Sequence, residues 1–343
     1  MQTKRLSESE GDIKLAGEIL RNGGLVAFPT ETVYGLGANA LDAEAVGAVY
    51  KAKGRPSDNP MIVHIADIGD LGSLVRGGRD GIGRTAAQVM EAFWPGPLTL
   101  IFPKSSAVPD ATTGGLETVA IRMPSNDTAH RLISEAGIPI AAPSANISGK
   151  PSPTTSNDVL EDMDGRIDAV IMGENCEVGI ESTVLDLSSD RPVILRPGVI
   201  TSELISEIIG QEVFYDDTLL GTPGQMIDPQ DQDALSSFKP KSPGVKYTHY
   251  APKAKVRLIE VRESDFTEKV SQLEQELREQ GLKSAILNYN DNAKQAAKNL
   301  FADLRELDRQ KYDVIFIKTL DKSGLGFSVM NRMLKSAGYD IIR

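Results

Sequence analysis

The stretch at residues 25–37 reads LVAFPTETVYGLG. Its first four residues are apolar and predict a short buried strand over 25–28, which the following proline ends because proline cannot donate to a strand ladder. The polar cluster Thr30–Thr32 and two glycines come next. In α/β proteins, ligands bind beyond the carboxyl ends of strands, and glycines let a ligand approach the backbone. The stretch therefore indicates either a ligand site or a turn with solvated threonines.

Polar and cationic residues recur around the apolar strands that follow. Lysine and arginine neutralise phosphate, and arginine also offers it a planar fork. Hydroxyl and amide groups accompany these cations, whereas few acids do. The set favours an anionic, hydroxyl-rich ligand such as a nucleotide, although each residue alone also fits a helix-end cation, a core histidine or a loop. The segments are KAKGRPSDNPMIVHI (51–65), TVAIR (118–122), PSANISGKPSPTT (143–155) and LRPG (195–198).

The composition excludes several classes of protein. The chain has 343 residues, of which 40% are hydrophobic and 25% charged, as is typical of a globular protein of two domains. A net charge of −11 is not typical of a nucleic-acid-binding protein. No apolar run approaches the ~20 residues of a membrane helix, and no apolar signal core begins the chain. We therefore expect a cytoplasmic protein without a membrane contact.

The residues present also disfavour several kinds of site. The single cysteine, Cys176, excludes an internal disulfide, and three histidines far apart in the sequence disfavour a dedicated zinc site. The chain has no G-x-x-x-x-G-K-[ST] loop for phosphate. No Ser/His/Asp set or Cys/His pair indicates covalent catalysis. We therefore expect any reaction to proceed without an activated enzyme nucleophile.

The segments predict an α/β fold in two domains joined by a linker. Strands and helices alternate in the first domain, residues 1–212. Residues 213–252 lack apolar periodicity and are acidic at first, so they read as a linker. The linker ends in a run with two tyrosines, Tyr247 and Tyr250, which could close over the first domain's site as a lid. Strands alternate with helices again over 253–343, which predicts a small parallel α/β domain.

With these segments in view, the sequence resembles the long form of the YrdC-like family, the threonylcarbamoyl-AMP synthases. Several long motifs occur in the same order across both domains. The motifs are PTETVYGLG (29–37), KAKGRPSDNPMIVHI (51–65), WPGPLT (94–99), the strand that ends at Arg122, APSANISGKPSPT (142–154), ESTVLDL (181–187), LRPG (195–198), SPGVKYTHYAP (242–252) and GLGFSVMNRMLKSA (324–337).

The resemblance implies a fold and a reaction. The expected fold is a catalytic domain with a twisted mixed sheet and a positive cavity, followed by a small Rossmann-like parallel α/β domain. The expected enzyme is a nucleotidyltransferase that converts L-threonine, bicarbonate and ATP into L-threonylcarbamoyladenylate and pyrophosphate. Its product would pass to a threonylcarbamoyl transferase complex for the t6A37 modification of tRNA. Mg²⁺ is expected to arrive with ATP and to bridge its phosphates, so no protein metal ligand is named.

The resemblance also assigns roles to individual residues. Lys53 and Arg55 are expected to act in catalysis by neutralising charge. The residues expected to hold L-threonine are Thr32, His64, Arg122, Ala142 (through its backbone) and Ser182. The residues expected to hold ATP are Lys53, Arg55, Asn59, Thr118, Ser144, Asn146, Ser152, Arg196, Tyr247 and Tyr250.

Three other functions stay open at this point. The first is a carbamoyl transferase of the same fold, although the relatives of that kind carry zinc-finger cysteines that this chain lacks. The second is a protein that binds tRNA or double-stranded RNA on the same concave surface, although the acidic composition disfavours it. The third is a two-domain α/β protein whose polar strand ends are ordinary loops.

Overall fold

A computed structural model describes residues 2–189, 191–220 and 249–343, and these form two compact units. The first unit consists of the described residues up to Ser148 and of those from Ser152 to 220. The second consists of Gly149–Pro151 and of the described residues from 249 onward. Most of the predicted linker lies outside the described residues, so its boundaries and its action as a lid stay predictions. No helix in the described part of the chain is long and apolar enough to cross a membrane.

The first unit is built on one mixed sheet. The strands are β1 (Lys4–Leu6), β2 (Val26–Phe28), β3 (Gly35–Asn39), β4 (Ile62–His64), β5 (Leu98–Pro103), β6 (Thr118–Arg122), β7 (Ile140–Ala141), β8 (Ala169–Ile171), β9 (Thr183–Asp186), β10 (Val193–Arg196) and β11 (Phe214–Tyr215). Their order across the sheet is β1-β8-β2-β3-β7-β4-β6-β5-β9-β10-β11. The pairs β1–β8, β2–β8, β4–β6, β5–β9 and β10–β11 are parallel, and the others are antiparallel. The expected mixed α/β fold is therefore confirmed.

Helices accompany this sheet. They are α1 (Glu10–Arg21), α2 (Ala43–Lys53), α3 (Leu71–Leu74), α4 (Arg84–Phe93), α5 (Asp110–Thr113), α6 (Asp127–Ala136), α7 (Ser156–Met163), α8 (Ser202–Ile209) and α9 (Asp217–Leu220), with 3-10 turns at Ile68–Asp70 and Gly78–Gly81. Helix α2 begins at the N-cap Asp42, whose carboxylate accepts from Glu44 N at 2.9 Å. It ends at Gly54, whose φ of 63° is the left-handed conformation that favours glycine. These two caps fix the position of Lys53, which is the last residue of the helix.

The buried side chains of the sheet divide between its two faces. Because side chains alternate along a strand, Val63 and Ile121 lie on one face and Ile62 and Ala120 on the other. Val63 and Ile121 belong to the main core, together with residues of α2 and α4. Ile62 and Ala120 belong to a smaller apolar cluster, whose other members are Ile101, Val184 and Leu195. We call this cluster the apolar strip.

Gly35 and Gly37 have a different role from the one that the sequence suggests. They lie in β3, a strand that the sequence analysis does not predict, and not in a loop open to a ligand. A Cβ added to Gly37 would lie 2.9 Å from Phe28 Cε1 and 2.9 Å from Ile140 Cγ2. Both distances are too short for real Cβ contacts, so glycine is required here for the packing of three neighbouring strands.

The second unit has a smaller sheet of parallel strands. The strands are β12 (Lys255–Ile259), β13 (Ser284–Leu287), β14 (Val314–Lys318) and β15 (Ile341–Ile342), in the order β13-β14-β12-β15. The helices are α10 (Glu263–Glu279), α11 (Ala293–Arg309) and α12 (Gly324–Ser336). Each strand pair among these residues is parallel. The predicted small parallel α/β domain is confirmed.

Candidate active site

Strands β4 and β6 carry predicted site residues at or beside both of their ends. They run parallel, with His64 opposite Arg122 and Ile62 opposite Ala120. Thr118 begins β6 and lies four residues before Arg122, on the same face of the strand. At about 3.3 Å per residue, the two ends of β6 are about 13 Å apart. We call them the Arg122 end and the Lys53 end, after the buried cation that lies at each.

At the Arg122 end, the guanidinium of Arg122 is buried among protein groups. Its Nη1 donates to Thr32 Oγ1 at 2.9 Å, and its Nε donates to Gly96 O at 3.2 Å. Its Nη2 lies 2.8 Å from Glu31 Oε1, which makes an ion pair with both side chains almost fully buried. Thr32 Oγ1 also lies 2.9 Å from Thr30 Oγ1. The structure thus brings the predicted residues Thr32 and Arg122 into direct contact.

His64 lies beside Arg122 and is neutral. Burial, and after it the positive charge of Arg122, lower the pKa of His64 to about 3. Its Nδ1 lies 3.2 Å from Ile62 O, and its ring meets the ring of Phe28 edge-on at 6.2 Å. His64 therefore offers neutral hydrogen-bonding groups next to a cation and adds no positive charge of its own.

Ser182 and Arg196 complete the Arg122 end. Ser182 Oγ lies 2.8 Å from Thr99 Oγ1, and β5 places Thr99 directly opposite Arg122. Arg196 donates from Nη2 to Ser182 Oγ and from Nε to Ser182 O, both at 3.0 Å. Arg196 is expected to hold ATP, whereas its contacts in the structure are with a residue expected to hold threonine. Buried hydroxyl and carbonyl groups therefore hold both Arg122 and Arg196 in place.

The Lys53 end is organised by a buried lysine. Lys53 Nζ donates to Ser144 O and, at 2.6 Å, to Asn146 O. Ser144 Oγ donates to Asn146 Oδ1 at 2.5 Å. The structure thus joins Lys53 to Ser144 and Asn146, two predicted ATP residues that lie 91 and 93 positions later in the sequence. Strand β7 is antiparallel to β4. The chain that follows Ala142 therefore runs past the first residue of β4 and brings Ser144 and Asn146 to this end.

Arg55 and Asn59 lie in the loop between α2 and β4. Arg55 Nη2 donates to Pro60 O at 3.0 Å and to Asn59 O at 3.3 Å. Asn59 Oδ1 is buried and accepts no hydrogen bond from a described residue. Parallel pairing with β4 places Thr118, which is half-buried, near the level of Pro60. Thr118 therefore lies at the Lys53 end together with Arg55 and Asn59.

Ala142 and Ser152 have contacts outside these two clusters. Ala142 N donates to Ile62 O at 2.9 Å, so only its carbonyl is left for a ligand. Ser152 Oγ donates to Glu181 Oε1 at 2.6 Å. Glu181 precedes Ser182 directly, so this bond ties the loop of Ser152 to the strand that follows Ser182.

The two predicted lid tyrosines cannot be placed at this site. Tyr247 lies outside the described residues. Tyr250 lies in the second unit, where its ring stacks on that of Phe301 with centroids 5.0 Å apart. The proposed contact of both tyrosines with ATP stays a prediction.

The position of the site corrects one inference from the sequence. The carboxyl ends of strands were expected to converge on the ligand, as they do in a parallel sheet. In this mixed sheet, Arg122 lies at the carboxyl end of β6, whereas Thr118 lies at its amino end. The predicted residues therefore lie at both ends of β4 and β6, and Ile62 and Ala120 of the apolar strip lie between these ends.

The sequence analysis also assigned no role to three residues of the site. These residues are Glu31, Thr99 and Glu181. A buried carboxylate next to an arginine cannot be predicted from a single sequence unless the pairing of strands is known. Glu31 does lie inside the stretch that first indicated a site, which was the one available signal.

The described residues hold no group of three or more His, Cys, Asp or Glu side chains placed to bind a metal ion. Mg²⁺ commonly keeps several waters and binds through one or two carboxylates and the phosphates of its substrate. Hydroxyl groups, amide groups and cations predominate among the predicted ATP residues, and one of them, Ser152, contacts a carboxylate, that of Glu181. This donor set fits an ion that arrives on a nucleotide better than one that resides in the protein.

Comparison with known proteins gives matches over both units. A family model described as "Telomere recombination" matches residues 18–198, and one described as "Threonylcarbamoyl-AMP synthase, C-terminal domain" matches residues 200–338. The chain is 44% identical to the threonylcarbamoyl-AMP synthase of Pyrococcus abyssi, over 97% of this chain and 96% of that protein. It is also 44% identical to the Bacillus subtilis threonylcarbamoyl-AMP synthase, over 99% of this chain and 97% of that protein.

A solved structure agrees with these matches. The crystal structure of Pyrococcus abyssi Sua5 complexed with L-threonine matches the chain with a TM-score of 0.89 at 43% identity, and the match covers 100% of this chain and 99% of that one. The resemblance that the motifs indicate is thus confirmed over the whole length. The chain belongs to the threonylcarbamoyl-AMP synthase family.

Proposed function

We propose that this chain makes L-threonylcarbamoyladenylate and pyrophosphate from L-threonine, bicarbonate and ATP. The observation that carries the proposal is the pair of clusters at the two ends of β4 and β6. A buried cluster with arginines, hydroxyls and a neutral histidine lies at the Arg122 end, and a cluster of cations and polar groups lies at the Lys53 end. The two ends of β6 are about 13 Å apart. An amino acid and a nucleotide placed end to end would fill these two clusters.

The Arg122 end suits L-threonine. Arg122 is the partner for the threonine carboxylate, because a guanidinium binds carboxylates with charge-assisted hydrogen bonds. Thr32, Ser182 and the neutral His64 supply groups that can bond the threonine hydroxyl without adding charge. The structure of Pyrococcus abyssi Sua5 is a complex with L-threonine, which supports L-threonine as a substrate of this chain.

The Lys53 end suits the phosphates and ribose of ATP. Lys53 and Arg55 place two positive charges beside a loop of hydroxyl and amide groups, Ser144 and Asn146. Positive charge near the α-phosphate stabilises the charge that develops there during phosphoryl transfer. Mg²⁺ would be held by the ATP phosphates and water, and it would supply further charge neutralisation there.

The reaction needs no covalent enzyme intermediate. The neutral amine of threonine attacks the carbon of bicarbonate, the C–OH bond breaks, and the hydroxide leaves as water with one amine proton. A carbamate oxygen then attacks the α-phosphorus of ATP, and the bond to the β-phosphate oxygen breaks to release pyrophosphate. The role of the protein is to bind both substrates in line and to neutralise their charges. The product would then serve a threonylcarbamoyl transferase that modifies tRNA.

Pyrophosphate release by the pure protein tests this proposal. The assay contains ATP and Mg²⁺, with and without L-threonine and bicarbonate, and it uses L-serine as the control amino acid. We expect release only when both L-threonine and bicarbonate are present. Release that does not depend on threonine would show a different nucleotidyl transfer, and no release from folded protein would favour the RNA-binding alternative.

A further inference from the structure

Two buried polar atoms lie next to each other at the Arg122 end without hydrogen-bond partners. Arg122 Nη2 lies within ion-pair range of Glu31 Oε1, but it makes no hydrogen bond of good geometry with the described residues. Glu31 Oε2 likewise accepts no hydrogen bond from the described residues. Buried polar atoms in folded proteins nearly always have partners, so an adjacent unpaired donor and acceptor indicate that a ligand supplies them.

Glu31 also borders a pocket that can admit a small molecule. The pocket has a volume of about 360 Å³, and its lining includes Thr30, Glu31 and Ser125. Ser125 N donates to Glu31 Oε1 at 3.2 Å, so this oxygen has two protein partners, whereas Oε2 has none among the described residues. The volume is within the usual range for small-molecule sites. The unpaired carboxylate oxygen therefore belongs to a residue that a small molecule can reach.

The charge of Glu31 is held in place by its surroundings. Burial raises the pKa of Glu31, but the charge of Arg122 in the ion pair and the hydrogen bond from Ser125 N lower it by more, so that the net pKa is below its ordinary value. The carboxylate is therefore ionised at neutral pH. An ionised oxygen that lacks a donor fits a positively charged or N–H-bearing group of a ligand.

We propose that Glu31 Oε2 accepts a hydrogen bond from the amino group of the bound amino acid, while Arg122 Nη2 donates to its carboxylate. The inference rests on the proposed function, since it takes the substrate to be an α-amino acid. In an α-amino acid the amine and the carboxylate are separated by one carbon, so they can bond to neighbouring atoms of one ion pair. One N–H of the amine remains in the carbamate, so the bond to Glu31 can persist through the reaction.

Ligand binding to the whole protein tests the inference without turnover. Binding of L-threonine and of (R)-3-hydroxybutanoate is measured by calorimetry or by competition. The second ligand keeps the carboxylate and the hydroxyl of threonine but has hydrogen in place of the amine. The proteins are the unaltered chain, Glu31→Gln and a control, Glu177→Gln, which removes an exposed carboxylate from the lining of the same pocket.

We expect Glu31→Gln to weaken L-threonine binding by about tenfold to a hundredfold, the usual range for a charge-assisted hydrogen bond. Binding of (R)-3-hydroxybutanoate should change little or become tighter, and Glu177→Gln should bind both ligands as the unaltered chain does. An equal loss for both ligands in Glu31→Gln would overturn the inference, because it would show that Glu31 only holds Arg122 in place.

Two further measurements keep the test decisive. If Glu31→Gln does not fold, Glu31→Asp keeps the charge, withdraws the carboxylate by one methylene group, and should also weaken threonine more than the analogue. If the unaltered chain neither binds L-threonine nor releases pyrophosphate, then the proposed function fails. If it does both but Glu31→Gln binds threonine normally, only the role of Glu31 fails.

Discussion

The Arg122 end and the Lys53 end both present buried cations, but they hold these cations in different ways. At the Arg122 end, side chains bond mainly to other side chains, as in the contacts of Arg122 with Glu31 and Thr32. At the Lys53 end, the cations bond mainly to backbone carbonyls, as Lys53 does to Ser144 O and Asn146 O. The first arrangement depends on the identity of several side chains, and the second depends on the path of the chain.

This difference separates the stability of the fold from the binding of substrate. Removal of a side chain from the Arg122 end leaves a charged partner buried, which is costly. Removal of a cation from the Lys53 end leaves neutral carbonyl groups without a donor, which costs less than a buried charge without its partner. Substitutions at the two ends should therefore lower activity alike while they lower stability by different amounts.

The largest combined effect is expected from Arg122→Met. The change leaves the Glu31 carboxylate buried without its ion pair, which should cost about 3–5 kcal/mol in the free energy of unfolding. Threonine-dependent pyrophosphate release should fall at least about 100-fold, because the partner of the substrate carboxylate is lost. Urea unfolding and the pyrophosphate assay measure the two effects. A variant as stable as the unaltered chain would show that the Arg122–Glu31 pair does not stabilise the fold.

A smaller loss of stability is expected from Lys53→Met, a change that keeps the length of the side chain. Two charged hydrogen bonds to the loop at Ser144 and Asn146 are lost, at a cost of about 2–3 kcal/mol. The KM for ATP should rise more than the KM for threonine, because the loop and the charge belong to the Lys53 end. Equal changes in both KM values would contradict the division of the site into two ends.

Arg55→Gln should lower activity while it leaves the stability of the fold almost unchanged. Arg55 is half-buried and bonds to carbonyls of its own loop, so the free energy of unfolding should change by less than about 1 kcal/mol. The kcat should fall by about tenfold or more, because a charge near the phosphates is lost. Lys51→Gln removes an exposed cation from the same helix end and serves as the control, for which full activity is expected.

The smallest effect concerns the pH dependence of stability and isolates His64. The unfolded chain binds a proton at His64 near pH 6.5, whereas the folded chain keeps His64 neutral down to about pH 3. Stability should therefore fall as the pH decreases from about 6.5, by up to about 1.4 kcal/mol per pH unit from this residue alone. His64→Gln should remove that slope, and unfolding in urea between pH 6.5 and pH 5 measures it. A variant with an unchanged slope would mean that His64 is protonated in the folded chain.

Much of the fold follows from the sequence, and the exceptions have physical causes. Strand β6 has the predicted bounds, because its apolar residues and its terminal arginine mark it in the sequence. Strand β3 was not predicted, because its sequence, GLGAN, has too few side chains to show a strand pattern. Strand β1 was not predicted either, since two of its three residues are polar.

The site was predicted in part. Its residue types and their ligand class follow from the sequence, and the contact of Thr32 with Arg122 agrees with their shared assignment. The division into two ends does not follow from the sequence, because it depends on which neighbours of β4 and β6 are antiparallel. Glu31 belongs to the polar cluster that indicated a site, but its contact with Arg122 could not be predicted, because that contact depends on how the strands pair.

The pairing of the first strand with the eighth has a consequence for synthesis on the ribosome. Lys4 of β1 pairs with Ala169 of β8, and β2 also pairs with β8. Strand β1 therefore has no partner until β8 has emerged from the ribosome. At about 5–20 residues per second, this takes roughly 10 to 35 s. Arg196 and its contact with Ser182 follow later still. The nascent chain thus carries an unpaired, partly apolar strand edge for this period. Chaperones that bind such edges can act on the chain before the substrate pocket has formed.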